Sequence, residues 1–380
     1  MGESHVTLDD LRRFAVGRSL FTPVTLKAAV EKLGFVQADP IRAPARAQDL
    51  TLRHRVRGYR AGDLERRYAS LGIEEDFFVN YGFVSKAVHA LMHPREKPRV
   101  SADPPRTRKG RVLAFVGERG EVHPRDVDAH FSHGTVINYW GGSSAATTRL
   151  LEDLHYRGLL RVIRRERGIR IYGVRDGASP AVDAAGRRLR LDALVDIVVN
   201  KYAPLPGLSL SGLVGRLRFA VPQWRGDLKA ALHRAKGRLG HARLDGIDWY
   251  WPAGERPDGR SIEDKVRLLA PFDPVVWDRR RFELLWGWPY RFEAYTPGPK
   301  RKLGYYALPL LWRDRVIGWG NLSVVGGRLQ ASLGYIAAHP PAEGAFRREL
   351  EAEIERVGDF LKLEADVRAP AGPVRARPSL

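Results

Sequence analysis

The stretch "LRVIRRERGIRIYGV" constrains the fold more than any other. Apolar and arginine positions alternate on either side of Gly168, the period-two signature of a two-stranded ribbon that turns at that glycine. Ahead of it, "RVLAFVGERGEVHPRDVDAHF" carries two short helical patterns around a turn. "SSAATTRLLEDLHYRGL" then carries a helix with Ser143 or Ser144 available as cap and Leu150, Leu151, Leu154 and Leu159 as an apolar stripe. Helix, turn, helix and basic hairpin make the winged-helix plan, in which a helix can enter a major groove while the wing touches backbone. Winged helices also bind proteins or act as spacers, so the plan alone leaves the partner open.

The plan recurs on both sides. "LDALVDIVVNKYAPLPGLSLSGLVGRL" leads into "WRGDLKAALHRAKGRLGHARLDGIDWYWPAG", a basic helix followed by a short ribbon. Near the start, "TLDDLRRFAVGR", "TPVTLKAAVEKLG" and "PARAQDLTLRHRV" read as helices with the strand "FVQADPI" between them. Stretches rich in Pro, Gly and charge at 93–110, 175–188 and 252–261 divide the chain. The expected organisation is an α+β chain: winged-helix units over 1–100, 108–176 and 188–252, a C-terminal β-rich domain over 262–365, and a disordered tail over 366–380.

Charge narrows the partner. Lys and Arg total 64 against 44 Asp and Glu, a formal charge of +20, and most of the cations are Arg. Guanidinium forks bind phosphate bidentately and stay charged, so nucleic acid leads and a membrane surface follows. The bland alternative is a generally solvated basic surface. With no Cys, disulfides, thiolate metal sites and a Cys nucleophile are excluded. No run approaches the roughly 18 apolar residues of a membrane span and no signal core opens the chain, so a cytoplasmic location without membrane contact is expected.

Within "LGFVQADPIRAPARAQDL", Gln37 and Asp39 interrupt an apolar, strand-like run. Residues two apart on a strand share a face, so the pair either meets solvent or does chemistry. Arg42, Arg46, Arg53, Arg55, Arg57 and Arg60 follow, interrupted by the single acid Asp49. If the segment is helical, Arg46, Arg53, Arg57 and Arg60 gather on one side as a positive wall; a solvated helix face would explain the charges but not their one sign. A carboxylate beside phosphate-binding cations can hold a water, and an amide can orient it by donating and accepting hydrogen bonds.

Other candidates are weaker. His89 and His93 stand at i, i+4, a metal-ligand spacing, but no third ligand is obvious, and they read as ordinary helix residues. His130 and His133 are judged alike, so no metal and no cofactor is expected. No phosphate loop, dinucleotide fingerprint, nucleophile elbow or HExxH motif occurs. The last piece, "EDKVRLLAPFDPVVWDRRRFELLWGWPYRFEAYTPGPKRKLGYYALPLLWRDRVIGWGNL", is dense in Trp, Tyr and Arg. Its aromatics read mainly as a β-rich core, with Lys300, Arg301 and Lys302 in a Pro/Gly loop as the better DNA contacts. In the middle ribbon, Arg164, Arg165 and Arg167 are the matching wing cations.

Taken together, "LGFVQADPIRAPARAQDLTLRHRV", "LEDLHYRGLLRVIRRERGIRIYGV" and above all "LLAPFD…WDR" through "YTPGPKRKLGYY" resemble the winged-helix crosslink-repair DNA glycosylases of the YcaQ/AlkZ type. The resemblance spans nearly the whole chain. It implies tandem winged helices and a C-terminal β-rich domain, C-shaped around a DNA channel, acting as a monomer on double-stranded DNA with alkylated or crosslinked purines. The implied activity is metal-free, monofunctional hydrolysis of the N-glycosidic bond in base excision repair. The family's catalytic Gln-x-Gln or Gln-x-Asp motif, on a hairpin of the first winged helix, falls here on Gln37 and Asp39, the Gln-x-Asp form, with Ala38 between them. The competing reading is a non-enzymatic winged-helix regulator, which would not require that pair.

Overall fold

The protein is described by a computed structural model covering residues 6–95, 106–132, 134–137, 143–175, 182–258 and 261–363. His133 and the expected tail at 366–380 lie outside the described residues. Helix and strand are mixed throughout, in keeping with an α+β chain. The chain forms two compact units, neither continuous in sequence: Met1–Asp63 with Asp196–Gly212 and Ala235–Leu380, and Leu64–Val195 with Leu213–Arg234.

In the first unit, Thr7 opens the helix Leu8–Ser19 with a capping box: its hydroxyl accepts from the Asp10 N–H while the Asp10 carboxylate accepts from the Thr7 N–H. A second helix, Leu26–Leu33, starts at Thr25 and stops at Gly34. Glycine is required there twice over, because φ is +66° and an added Cβ would lie 2.6 Å from Ile197 Cγ2. That stop feeds the chain directly into the strand Phe35–Gln37, all three residues of which are buried.

The strand ends at Gln37, and residues 38–46 form a loop before the helix Ala47–Leu52. The expected geometry is corrected on this point. Asp39 does not share a pleated face with Gln37, and the motif sits at a strand exit rather than on a hairpin. Two prolines, Pro40 and Pro44, fall in that loop and deprive it of ladder donors.

The C-terminal part of this unit is a four-stranded antiparallel meander of Val266–Leu268, Leu308–Trp312, Arg315–Val325 and Arg328–Tyr335. Its last turn runs through Gly326 and Gly327, both at positive φ, the conformation a two-residue hairpin demands. The helix Gly344–Leu361 packs on the first strand. One core holds Leu20, Leu269, Val275, Val276, Phe282, Tyr290, Ala307, Leu311 and Val316, with Trp286, Trp288 and Trp319 packed against it. Of the aromatics in the late stretch, Phe282 and Tyr290 belong to this core, while Tyr295 and Tyr305 are exposed.

The second unit contains the hairpin Ile73–Phe77 with Tyr81–Ser85 and the helices Lys86–Met92, Arg108–Arg119, Pro124–Phe131 and Ala146–Tyr156. The basic ribbon Leu160–Glu166 with Ile169–Val174 turns through Arg167 and Gly168, both at positive φ, as its alternation predicts. Leu151 and Leu154 of the expected stripe are buried, whereas Leu150 and Leu159 are half-buried. Ser143 and Ser144 belong to a short strand, Ser143–Ala145, paired with Thr135–Ile137.

The run from Ala184 to Trp251 contributes to both units. Its order is helix Ala184–Tyr202, strand Leu205–Pro206, helices Gly207–Arg216 and Leu228–Arg238, then the hairpin Gly240–Leu244 with Ile247–Trp251. The hairpin turns at Asp245-Gly246, and its second strand also pairs with Leu205–Pro206.

Candidate active site

Gln37 is 6% exposed, and its side-chain carbonyl accepts a 2.7 Å hydrogen bond from the indole N–H of Trp277. This fixes the amide's orientation: with Oε1 occupied, the two Nε2 hydrogens remain to donate. Trp277 is itself held. Its backbone N–H bonds the Asp273 carbonyl at 2.8 Å, and its ring lies 5.5 Å from that of Tyr202.

The turn carrying Trp277 is anchored by a pair without solvent access. Arg55 and Asp273, both 0% exposed at the side chain, meet bidentately at 2.7 and 2.9 Å. Arg55 also donates to the carbonyls of Ser19 and Thr51, so its guanidinium is satisfied on several sides. Arg281 donates from the following helix to the carbonyls of Ala203, Pro204, Pro274 and Val275. The early "LRHRV" and late "PFDPVVWDRRRF" segments are thus parts of one scaffold that presents Trp277 to Gln37.

Asp39 is held more lightly. Its backbone N–H donates to the Gln48 side chain at 3.3 Å, and Oδ1 accepts from the Ile41 N–H at 2.9 Å. The other carboxylate oxygen has no protein partner among the described residues. Partial burial raises the Asp39 pKa above its ordinary value, against the opposing pull of the Ile41 N–H. Burial, and after it the charge of Asp39, raise the pKa values of Tyr295 and Tyr306.

Those tyrosines flank the loop "TPGPKRKLG", which one buried carboxylate organises. Glu293 Oε2 accepts from the backbone N–H groups of Lys302, Leu303 and Gly304 at 2.9, 2.7 and 3.3 Å. Lys300 and Lys302 are exposed on this loop, while Arg301 is tied to the Thr296 carbonyl and lies over the Tyr305 ring.

The proposed phosphate wall is only partly formed. Arg42 and Arg57 are exposed, and Arg46 and Arg60 are half-buried, Arg46 close enough to Asp49 to act on its carboxyl. Arg53 is corrected: its side chain is 4% exposed, donating to the Leu268 carbonyl and ion-paired with Glu353, which also takes the Leu268 N–H. A guanidinium so placed is a structural cation. Asp49, the single acid of the run, is buried and accepts from the Tyr59 hydroxyl and the Gly62 N–H.

Arg165 is corrected likewise, because it pairs with buried Glu75 at 2.6 and 2.7 Å. Glu75 belongs to three consecutive strand acids. Glu74 takes Arg161 and Arg175, and Asp76 takes Arg95. Arg167 is exposed, while Arg164 pairs with Glu121 and Glu166 at the surface. The acid run "EED" inside an apolar strand was the sequence sign that some wing arginines would turn inward.

Sequence reasoning found no third partner for His89 and His93, yet Asp76 supplies one. Its Oδ2 lies 3.2 Å from His89 Nε2 and 2.8 Å from His93 Nε2, and the two rings stack at 4.2 Å. These three residues could offer ligand atoms to a metal ion. Arg95 at 2.7 Å from Oδ1 already balances Asp76, burial lowers the His89 pKa to about 4 and also lowers that of His93, and of the two imidazoles His93 makes the hydrogen bond to the carboxylate.

Among the described residues no helix is long and apolar enough to cross a membrane. The family model for DNA glycosylase AlkZ-like proteins matches residues 30–360. The solved structure of Streptomyces sahachiroi DNA glycosylase AlkZ is similar in fold, with a TM-score of 0.58 at 15% identity, over 97% of this chain and 100% of that one.

Proposed function

The chain belongs to the AlkZ-like DNA glycosylase family, and on that premise we propose that it excises N7-alkylated purines, including those in interstrand crosslinks, with Gln37 and Asp39 as its catalytic pair. It is a DNA-repair enzyme that cleaves base from sugar; the lesion and the residue roles are our reading.

One observation carries that reading: the Trp277 N–H holds the side-chain carbonyl of Gln37 and so fixes its amide, two residues from a carboxylate that has one oxygen without a partner among the described residues. An N7-alkylpurine is already cationic, so its departure needs little acid assistance. What remains is to stabilise an oxocarbenium-like sugar and deliver water, the task carboxylates perform in glycoside hydrolysis. Asp39 offsets the developing positive charge and accepts the water's proton. The Gln37 N–H groups fix the water or a sugar oxygen. The motif contains no lysine, so hydrolysis without a Schiff-base step is expected.

A crosslinked base is tied to the other strand and cannot swing freely into a deep pocket, which favours a site reached along a groove. The helix, strand, helix, helix and ribbon order over 184–251 supports a winged-helix reading of that segment. Exposed Arg42, Arg57, Arg167, Lys300 and Lys302, and half-buried Arg46, Arg60, Arg164 and Arg301, are proposed as phosphate contacts.

The test is gel analysis of oligonucleotides carrying N7-methylguanine or a purine crosslink, treated with alkali after incubation. Strand scission at the lesion, absent with undamaged duplex, is the expected result. Binding without scission on either substrate would overturn the substrate assignment.

A further inference from the structure

Two tyrosines at the ends of the loop "TPGPKRKLG" are left in solvent, Tyr295 at 69% and Tyr305 at 44% exposure. Single exposed aromatics are ordinary on a protein surface, but two at the ends of one loop with cations between them make a patch of defined chemistry. Lys300 and Lys302 are exposed, and their ammonium groups have no partner among the described residues. The Arg301 guanidinium lies 4.9 Å from the Tyr305 ring.

The loop that presents these groups is closed on itself. Buried Glu293 gathers the N–H groups of Lys302, Leu303 and Gly304 on Oε2, and its backbone carbonyl accepts from the Thr296 N–H at 2.9 Å. Arg301 donates to the Thr296 carbonyl at 2.7 Å, and the Asn321 side chain donates to the Leu303 carbonyl at 2.8 Å. Gly304 stands at φ +120°, and an added Cβ would lie 2.3 Å from Asn321 Oδ1, so this close seating on the strand Arg315–Val325 needs glycine. Tyr295 itself stands edge-on to Phe292 at 6.1 Å, and Phe292 packs edge-on against buried Tyr306 at 5.2 Å. The exposed phenol is thus ordered in advance, and a ligand need not supply that ordering.

An exposed ring beside unpaired ammonium groups suits a partner with both a π face and a negative backbone. A nucleobase outside the stack offers both, whereas a paired base inside a duplex hides its face and leaves only phosphates to bind. We propose that Tyr295 is a stacking platform for an unstacked nucleobase of DNA, with Lys300 and Lys302 on the adjoining phosphates. This rests on the DNA-binding part of the function proposed above and is independent of which lesion is excised. Every base has a π face, so the loop reads the loss of stacking rather than the sequence.

The experiment measures affinity for two undamaged duplexes, one fully paired and one carrying a single unpaired 2-aminopurine, whose fluorescence is quenched by stacking. The wild type is expected to bind the bulged duplex more tightly and to quench its fluorescence. Tyr295→Ala is expected to weaken binding to the bulged duplex about 10-fold or more, the scale of one base–aromatic stack, and to abolish the quenching. Its affinity for the paired duplex and its thermal midpoint should not change. Tyr295→Phe keeps the ring and should behave as the wild type, while Lys300→Ala with Lys302→Ala should weaken binding to both duplexes alike. Equal wild-type affinities for the two duplexes, wild-type binding and quenching by Tyr295→Ala, or equal losses on both duplexes in that variant would overturn the proposal. Self-association of the wild type that Tyr295→Ala abolishes with DNA binding unchanged would overturn it in favour of an interface between copies. Binding of neither duplex by the wild type would overturn the DNA-binding reading and the platform with it. Failure to excise N7-methylguanine would overturn the lesion assignment alone, because binding is measured here without excision.

Discussion

The indole N–H of Trp277 reaches across 240 residues of sequence to the side-chain carbonyl of Gln37, at 2.7 Å. Trp277→Phe keeps a ring in place but removes the donor, and the amide is then free to rotate. Excision by this variant should fall about 10- to 100-fold in single turnover, the scale of one positioned hydrogen bond, with duplex affinity unchanged. A wild-type rate would mean that the contact does not orient the amide.

The arginines near the motif separate into two classes with different readouts. Arg42→Ala with Arg57→Ala should weaken binding to any duplex and flatten the dependence of log affinity on log salt by up to about two units, at about 0.9 per phosphate neutralised. Arg53→Ala should leave that slope alone and instead lower stability by about 3–5 kcal/mol, because it strands Glu353 in the interior. Affinity measured across a salt series, beside denaturant unfolding, distinguishes them. A flattened slope in Arg53→Ala would return that residue to the phosphate-binding set.

Lys201 gives a pH signature. It is buried, donates to the Phe35 carbonyl beside the motif strand, and its pKa is lowered to about 7 by burial and by neighbouring Arg55. Below pH 7 it is charged both folded and unfolded, and the full cost of burying that charge is present. Between pH 7 and its ordinary value near 10.5, the unfolded chain binds a proton that the folded chain does not, so stability rises with pH. The wild type should therefore gain unfolding free energy relative to Lys201→Met as pH rises from 7 towards 10. Parallel curves would show that the amine titrates normally.

These expectations also mark what the sequence could convey. Period-two alternation located the middle ribbon, and the Gly34 stop and Thr7 cap are local signals, so elements were legible wherever a few neighbours decide them. The direction of Asp39 was not, because the strand stops at Gln37 and the loop then fixes Asp39 through its backbone N–H on the Gln48 side chain and its carboxylate on the Ile41 N–H. The inward arginines escaped for another reason. Arg53 and Arg165 find Glu353 and Glu75, 300 and 90 residues away, and charge of one sign looks solvated until its distant partners are known. Gln37 could be singled out as a polar residue in an apolar strand, but nothing local announced Trp277.

The cluster of Asp76, His89 and His93 is already balanced by Arg95, and a dication would have to sit beside that guanidinium. Exhaustive EDTA treatment is accordingly expected to change neither excision nor the thermal midpoint. A loss of either that zinc restores would make the cluster a metal site.

The central claim is that Gln37 and Asp39 carry the chemistry. Single-turnover excision of N7-methylguanine by Gln37→Ala and Asp39→Ala, at protein concentrations saturating the duplex, tests it most directly. Each variant should lose about 10²–10⁴-fold in rate, the usual cost of removing a positioned catalytic group, while binding the duplex as the wild type does. Wild-type rates in both variants would contradict the claim and move the active site elsewhere in the chain.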